Sequence, residues 1–306
     1  LLLANYPDRD GRLANGVGLD TPASTLAVLE ALAGAGYHVA GAPPDTAALM
    51  AMLQAGPTNA LADRALRRAT IALPVATYRR LLETIPATAR GEIDARWGPP
   101  EADPHVVEGA FHLSLHQLGH VVLGIQPARG YHIDPTATYH SPDLVPPHGY
   151  LACYWWLRHV WGAQAVVHLG KHGNLEWLPG KALALSATCW PEIALGPMPH
   201  LYPFIVNDPG EGSQAKRRAQ AVVIDHLTPP LTRAGHYGEL AALEALVDEY
   251  ANARELDPRR LAPLREQIME LSQRLGLDRD LGLDARDEAA LATLDNHLCE
   301  LKELQI

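Results

Sequence analysis

Cysteine is scarce. The three in 306 residues, Cys153, Cys189 and Cys299, lie far apart and form no CxxC pair. That excludes a disulfide scaffold, a zinc ribbon and a thiol redox pair, and it fits a reducing, cytoplasmic setting. No apolar run reaches the ~18–20 residues that a membrane-spanning helix needs. Positive charge is in deficit: 25 Lys and Arg stand against 35 Asp and Glu, for a formal net charge of −10. Nucleic-acid affinity rests largely on neutralising phosphates, so a chain this acidic makes a poor polyanion partner. Internal repeats and low-complexity tracts are missing as well. What remains is 47% hydrophobic and 20% charged, the balance of a globular protein rather than a disordered one. The length suggests roughly two domains. The chain opens Leu1-Leu2-Leu3 inside an apolar run, with no initiator Met, and is expected to be an internal piece of a longer protein.

Histidine, by contrast, is abundant. Ten of the 15 fall between His105 and His172, and imidazole is both the commonest metal ligand and the side chain that titrates near neutrality.

The organisation reads as α/β: an open, mostly parallel sheet with flanking helices, followed by a helical C-terminal region. Leu1–Asn5 forms a buried strand. Gly16-Val17-Gly18 then makes a tight turn or an anion cradle, and Thr21-Pro22 starts a helix over 23–35 as its N-cap and first residue. Asp45 caps a helix over 46–54. Further helices are expected over 60–68 and 77–85, and a proline-rich break over 98–104 marks a subdomain boundary. His112, His116 and His120, spaced i, i+4, i+8, would clasp a metal on a helix; the β-rich run 121–125 instead predicts a strand from about His120. An aromatic helix over 150–160 closes near Gly162. Strands follow at 163–169 and 201–206, then a helix over 212–227. Three helices close the chain, at about 239–254, 259–275 and 288–302. The expected domains are 1–104, 105–236 and 237–306.

Three segments carry chemistry. His168–Lys181 packs two imidazoles, a carboxylate, two ammonium groups and three glycines into fourteen residues. It follows a strand, where open α/β sheets place ligands. His168, His172 and Glu176 form an N,N,O set suited to a divalent first-row metal if they converge; the alternative is a turn with hydrogen-bonded histidines. Asn207–Gln214, with Glu211 inside it, leads from a strand onto a helix N-terminus that favours an anionic group. Gln126–Tyr131 offers Arg129 for bidentate contact with a carboxylate.

Gln126–Tyr131, Ser141–Tyr150, His168–Lys181 and His200–Arg233, together with Asn5-Tyr6-Pro7 and Gly16–Ser24, closely resemble the large subunit of the aerobic cobaltochelatase (CobN) family, which groups with the large subunit of magnesium chelatase. The likeness covers most of the chain and is weakest over about 43–115 and after 255. Lys171 and Trp177-Leu178 stand where the magnesium branch usually has Thr and Phe-Met, which favours cobalt. The resemblance implies ATP-dependent insertion of Co²⁺ into hydrogenobyrinic acid a,c-diamide in cobalamin biosynthesis. It also implies partner subunits, an AAA+ ATPase and its companion, that hold ATP and Mg²⁺; this sequence has no GxxxxGK[ST] loop. That chemistry needs metal ligands, a base for the inner N–H protons and cations for a carboxylate-fringed ring. His168, His172 and Glu176 suit the first need. Glu176, with His172, suits the second. Gln126, Arg129, Lys171, Trp177, Lys181, Asn207, Glu211 and Gln214 suit the third. Rival readings are the magnesium-chelatase large subunit (Mg²⁺ into protoporphyrin IX), a non-catalytic tetrapyrrole-binding module and a structural scaffold.

Overall fold

The computed structural model describes residues 1–5, 13–16, 19–61, 67–130, 141, 143–170, 173–203, 209–224, 238–281 and 289–303. Two compact units divide at 228/229.

The first unit is built on a six-stranded sheet. Its strands are β1 (Leu2–Leu3), β5 (Leu115–Leu118), β6 (Val121–Ile125), β7 (Val166–Leu169), β8 (His200–Pro203) and β9 (Ala221–Ile224), in the order β5-β6-β1-β7-β8-β9. All neighbours are parallel except the β5–β6 hairpin. The inner strands β1 and β6 are apolar and buried on both faces, as parallel sheets require, whereas the edge strands leave Gln117 of β5 and Val222 and Ile224 of β9 exposed. Leu3, Leu123 and Ile125 pack beneath Leu29 of α1 (Thr21–Gly34) and Leu49 and Leu53 of α2 (Thr46–Ala55). Leu2, Val122 and Val166 face the opposite layer. That layer contains α3 (Val75–Leu82), α4 (Ala87–Trp97), α5 (His148–Trp155) and α6 (Trp190–Leu195). It also holds a small antiparallel sheet of β2 (Ile71–Pro74), β4 (Ala110–Leu113) and β3 (Val106–Val107), in that order.

Several local expectations change. Asp20, not Thr21, caps α1, accepting from the Ala23 amide at 2.9 Å; a carboxylate one residue earlier reaches the first-turn N–H that Thr21, already helical, does not. Asp45 caps α2 as its spacing implies, accepting from Ala48 at 2.7 Å. The helix expected over 60–68 falls mostly outside the described residues, and its described ends, 60, 61, 67 and 68, are not helical. The strands begin earlier than His120: His112 lies on β4, His116 on β5 and His120 in the hairpin turn, packed edge-on against His38. The helical clasp is therefore dispersed over two sheets and a turn. The helix expected over 212–227 is α7 (Pro209–Arg218), which stops before Gln220 at φ 54°. The β-branched run 221–224 then becomes the edge strand β9. The boundary expected at 104/105 is bridged, because β2 pairs with β4 across it. α5 continues into a π-helical turn, Trp156–Trp161, closed by Gly162 in the left-handed region.

The second unit contains α8 (Glu239–Leu256), α9 (Leu261–Arg274), the single turn α10 (Leu277–Asp280) and α11 (Ala289–Glu303). Leu243, Val247 and Tyr250, Leu264, Ile268 and Leu271, and Leu291, Leu294 and Leu298 recur at three- and four-residue spacing and share one core.

Candidate functional site

The strand order reverses direction at β1: the chain first adds strands on its β6 side and later on its β7 side. The crevice beyond the carboxyl ends of such strands is where open α/β sheets bind ligands. The residues that end these strands are unusual for buried positions. Asn5 follows β1 and Gln126 follows β6, and both are buried. The Asn5 amide is 2% exposed, and among the described residues neither its nitrogen nor its oxygen has a hydrogen-bond partner. Gly170 follows β7 at φ 105° and approaches so closely that a Cβ there would lie 2.9 Å from that of Ala4.

Two asparagines fix the segment after β6. Asn59 donates to the Gln126 carbonyl at 2.9 Å and accepts from the Ala128 amide at 3.1 Å. Asn174 donates to the Pro127 carbonyl at 3.0 Å and accepts from the Tyr150 hydroxyl at 2.8 Å. Together they set the position of Arg129, which is 2% exposed and donates to the Ser141 carbonyl. Arg129, read from the sequence as a grip on a ligand carboxylate, is thus turned inward. Burial lowers its pKa to about 10, against the opposing pull of Tyr150 and Glu176.

Glu176 lies in a single 3₁₀ turn, Leu175–Trp177, and is completely buried. Its carboxylate lies against Gly173: a Cβ on that glycine would fall 2.7 Å from both carboxylate oxygens and 3.0 Å from the Tyr202 hydroxyl. The Gly173 amide donates to the Tyr202 hydroxyl at 2.6 Å. The negative charge of Glu176 is felt by Arg129, Arg218, Tyr150 and Tyr154. Burial drives both tyrosines well above their usual range, with a further rise from that charge.

His168 projects from β7 into the same cluster. Its Nε2 pairs with the Tyr154 hydroxyl at 3.1 Å, and its ring lies edge-on to Tyr202 and, at 4.5 Å between centroids, to His200. Burial, then the neighbouring His200, holds its pKa well below the usual imidazole value. The His200 Nδ1 is 2.9 Å from the Ala219 carbonyl, which only accepts, so this nitrogen carries the proton.

The sequence-derived set is therefore split. His168, Glu176, Gln126 and Arg129 are buried around the Tyr150, Tyr154 and Tyr202 hydroxyls, whereas Trp177, at 40% exposure, and Lys181 reach the surface beside them. Gln214 is half-buried on α7. Lys171, His172 and Asn207 lie outside the described residues, as does the side chain of Glu211. Among the described residues no group of three His, Cys, Asp or Glu side chains stands together as a metal cage. Asn5, Tyr150 and Tyr202 stood in the sequence only within segments that carry the resemblance, with no role of their own, and Asn59 and Tyr154 were not singled out. A polar residue closing a buried strand was the available signal for Asn5.

The family model CobN/Magnesium Chelatase matches residues 1–306. The chain belongs to the CobN/magnesium chelatase family. It is 60% identical over its whole length to the aerobic cobaltochelatase subunit CobN of Sinorhizobium sp and 54% identical to that of Pseudomonas aeruginosa, covering 24% and 25% of those proteins. The magnesium-chelatase H subunit of Chlorobaculum parvum is 34% identical over 92% of this chain. In three dimensions the chain is similar to the catalytic subunit of cobaltochelatase from Mycobacterium tuberculosis, with a TM-score of 0.64, 44% identity, 98% of this chain covered and 26% of that one. It thus spans about a quarter of the length of these CobN-type relatives. The open, mostly parallel sheet with flanking helices is the architecture expected from the sequence.

Proposed function

We propose that this chain is the part of a cobaltochelatase large subunit in which Co²⁺, as substrate, is passed to a ring-contracted tetrapyrrole, hydrogenobyrinic acid a,c-diamide. ATP is hydrolysed by partner subunits, an AAA+ ATPase and its companion. The high identity to proteins named as cobaltochelatase subunits supports cobalt over magnesium. The observation that carries the reading is the Glu176 carboxylate, fully buried beyond the strand ends at the reversal of strand order. The amide of Asn5, which has no partner among the described residues, lies beyond the end of the adjoining strand β1.

Metal insertion removes two N–H protons from the macrocycle and replaces the metal's waters with ring nitrogens. A carboxylate serves both ends of that exchange, since its oxygens accept a proton or ligate a divalent ion. Glu176 takes this role, with His172 and His168 as the nitrogen donors of the set. Water exclusion strengthens its electrostatic contacts relative to an exposed carboxylate. Arg129 and Gln126 support it from inside. Lys171, Trp177, Lys181, Asn207, Glu211 and Gln214 meet the carboxylate-fringed rim of the macrocycle, and the Trp177 ring packs on its face.

The test is Glu176→Gln in the full-length subunit with its partners. The amide keeps the shape and removes the anionic oxygen, so cobalt insertion should be abolished while tetrapyrrole binding, followed by its absorbance, persists. Normal turnover would remove Glu176 from the mechanism. Faster insertion of Mg²⁺ into protoporphyrin would assign the magnesium branch instead, and binding without insertion by the wild-type complex would leave a carrier module.

A further inference from the structure

Arg218 is the last residue of α7, the helix that begins at Pro209, just beyond Asn207. All three of its guanidinium nitrogens are spent on main-chain carbonyls of the segment that carries Glu176. Nη1 donates to the carbonyl of Glu176 itself at 2.8 Å, Nη2 to Leu178 at 2.7 Å and Nε to Lys181 at 3.0 Å. The turn so held is intrinsically weak. It is one 3₁₀ turn whose closing bonds, Trp177 to Asn174 and Leu178 to Leu175, are both 3.3 Å, and such turns have poorer hydrogen-bond geometry than an α-helix. Lys181 is pinned from its other side too, because its amide donates to the Cys189 thiol sulfur at 3.4 Å.

A salt bridge would fix only one point. A planar fork with donors in fixed directions instead fixes the path of the backbone over several residues. We propose that Arg218 is a positioning residue for Glu176: it locks the 176–181 segment to α7, so that the carboxylate and that helix move as one body. The inference rests on the role given to Glu176 above. It assigns no contact between Arg218 and substrate.

A lysine at 218 keeps the charge and loses the fork, which separates geometry from electrostatics. The experiment measures kcat and KM for the tetrapyrrole in the full-length subunit with its partners, for wild type, Glu176→Gln, Arg218→Lys and Arg218→Ala, the last with and without methylguanidinium. Displacement of a catalytic group by about 1 Å costs on the order of 100-fold in rate. Arg218→Lys is therefore expected to lose about that much in kcat with KM near wild type. Methylguanidinium should restore part of the kcat of Arg218→Ala, a readout that general destabilisation would not give. An inactive Glu176→Gln beside an Arg218→Lys of normal kcat, or with a loss in KM alone, would overturn the positioning role and leave Glu176 in place. An active Glu176→Gln would overturn both. If Arg218→Lys fails to fold, the absence of methylguanidinium rescue in Arg218→Ala would by itself overturn the proposal.

Discussion

At the scale of single residues, the site is defined as much by an absent side chain as by those present. Gly173 does not adopt the left-handed backbone, so alanine there meets no backbone penalty. Its methyl would instead press on both oxygens of Glu176 and on the Tyr202 hydroxyl. On the role proposed for Glu176, Gly173→Ala in the full-length subunit with its partners is expected to fold normally, to bind tetrapyrrole and to insert metal roughly 100-fold more slowly, because misplacement by about an ångström is enough. Comparing insertion rates with melting temperatures checks this, and an unaffected rate would mean that the carboxylate relocates at no cost. Asn59 works at the same scale. One side-chain amide pairs with two backbone groups of the Gln126–Ala128 segment, much as a neighbouring strand would, and so delivers Arg129 inward.

At the scale of elements, β7 and β8 bring two imidazoles, His168 and His200, into the protein interior side by side. Burial lowers both pKa values, so both are held neutral in the fold. In the unfolded chain they titrate near 6.5. The sign follows: above about pH 6.5 neither state takes up the proton, while below it the unfolded chain binds protons that the folded one refuses, and stability falls. Each such imidazole contributes a slope of about 1.4 kcal/mol per pH unit until its folded pKa is reached. Denaturant titrations between pH 7.5 and 5.5 should show this loss, and His168→Gln should shallow it; an unchanged slope would contradict the burial argument. The elements also show what was legible in the sequence. Asp20 lies one residue from the inferred cap Thr21, and Asp45 is the inferred cap itself, because capping is local chemistry. The apolar runs at 121–125 and 163–169 yielded the central strands, because a strand buried on both faces must be apolar throughout. Strands β2 to β4 escaped because they are brief and defined by partners up to 42 residues away. The 221–224 strand was absorbed into a helix because periodicity over so few residues does not distinguish the two. The densest site segment was visible as composition, but that Arg129 turns inward and that tyrosines surround Glu176 depends on packing between distant segments.

At the scale of the whole molecule, each unit has its own core, the first around Trp155 and Tyr78 and the second around Leu243 and Leu294. Leu294 is fully buried, and cutting such a leucine back to alanine removes about 2–5 kcal/mol. Leu294→Ala is expected to lower the calorimetric transition of the helical unit while the near-UV circular dichroism of the tryptophan-rich first unit melts at its original temperature. A single transition displaced as one would show that the two cores unfold together.

The centre of the six-stranded sheet has a consequence for how the molecule comes into being. Leu2 lies opposite Gly124 and His168, partners 122 and 166 positions downstream. Two residues of strand gain little until both flanks exist, and closing loops of that span precedes any reward. During synthesis the β1 segment must wait, unpaired, until most of the first unit has left the ribosome. The keystone of the sheet is thus made before the other strands and seated late, and the crevice beyond its end is among the last features to take shape.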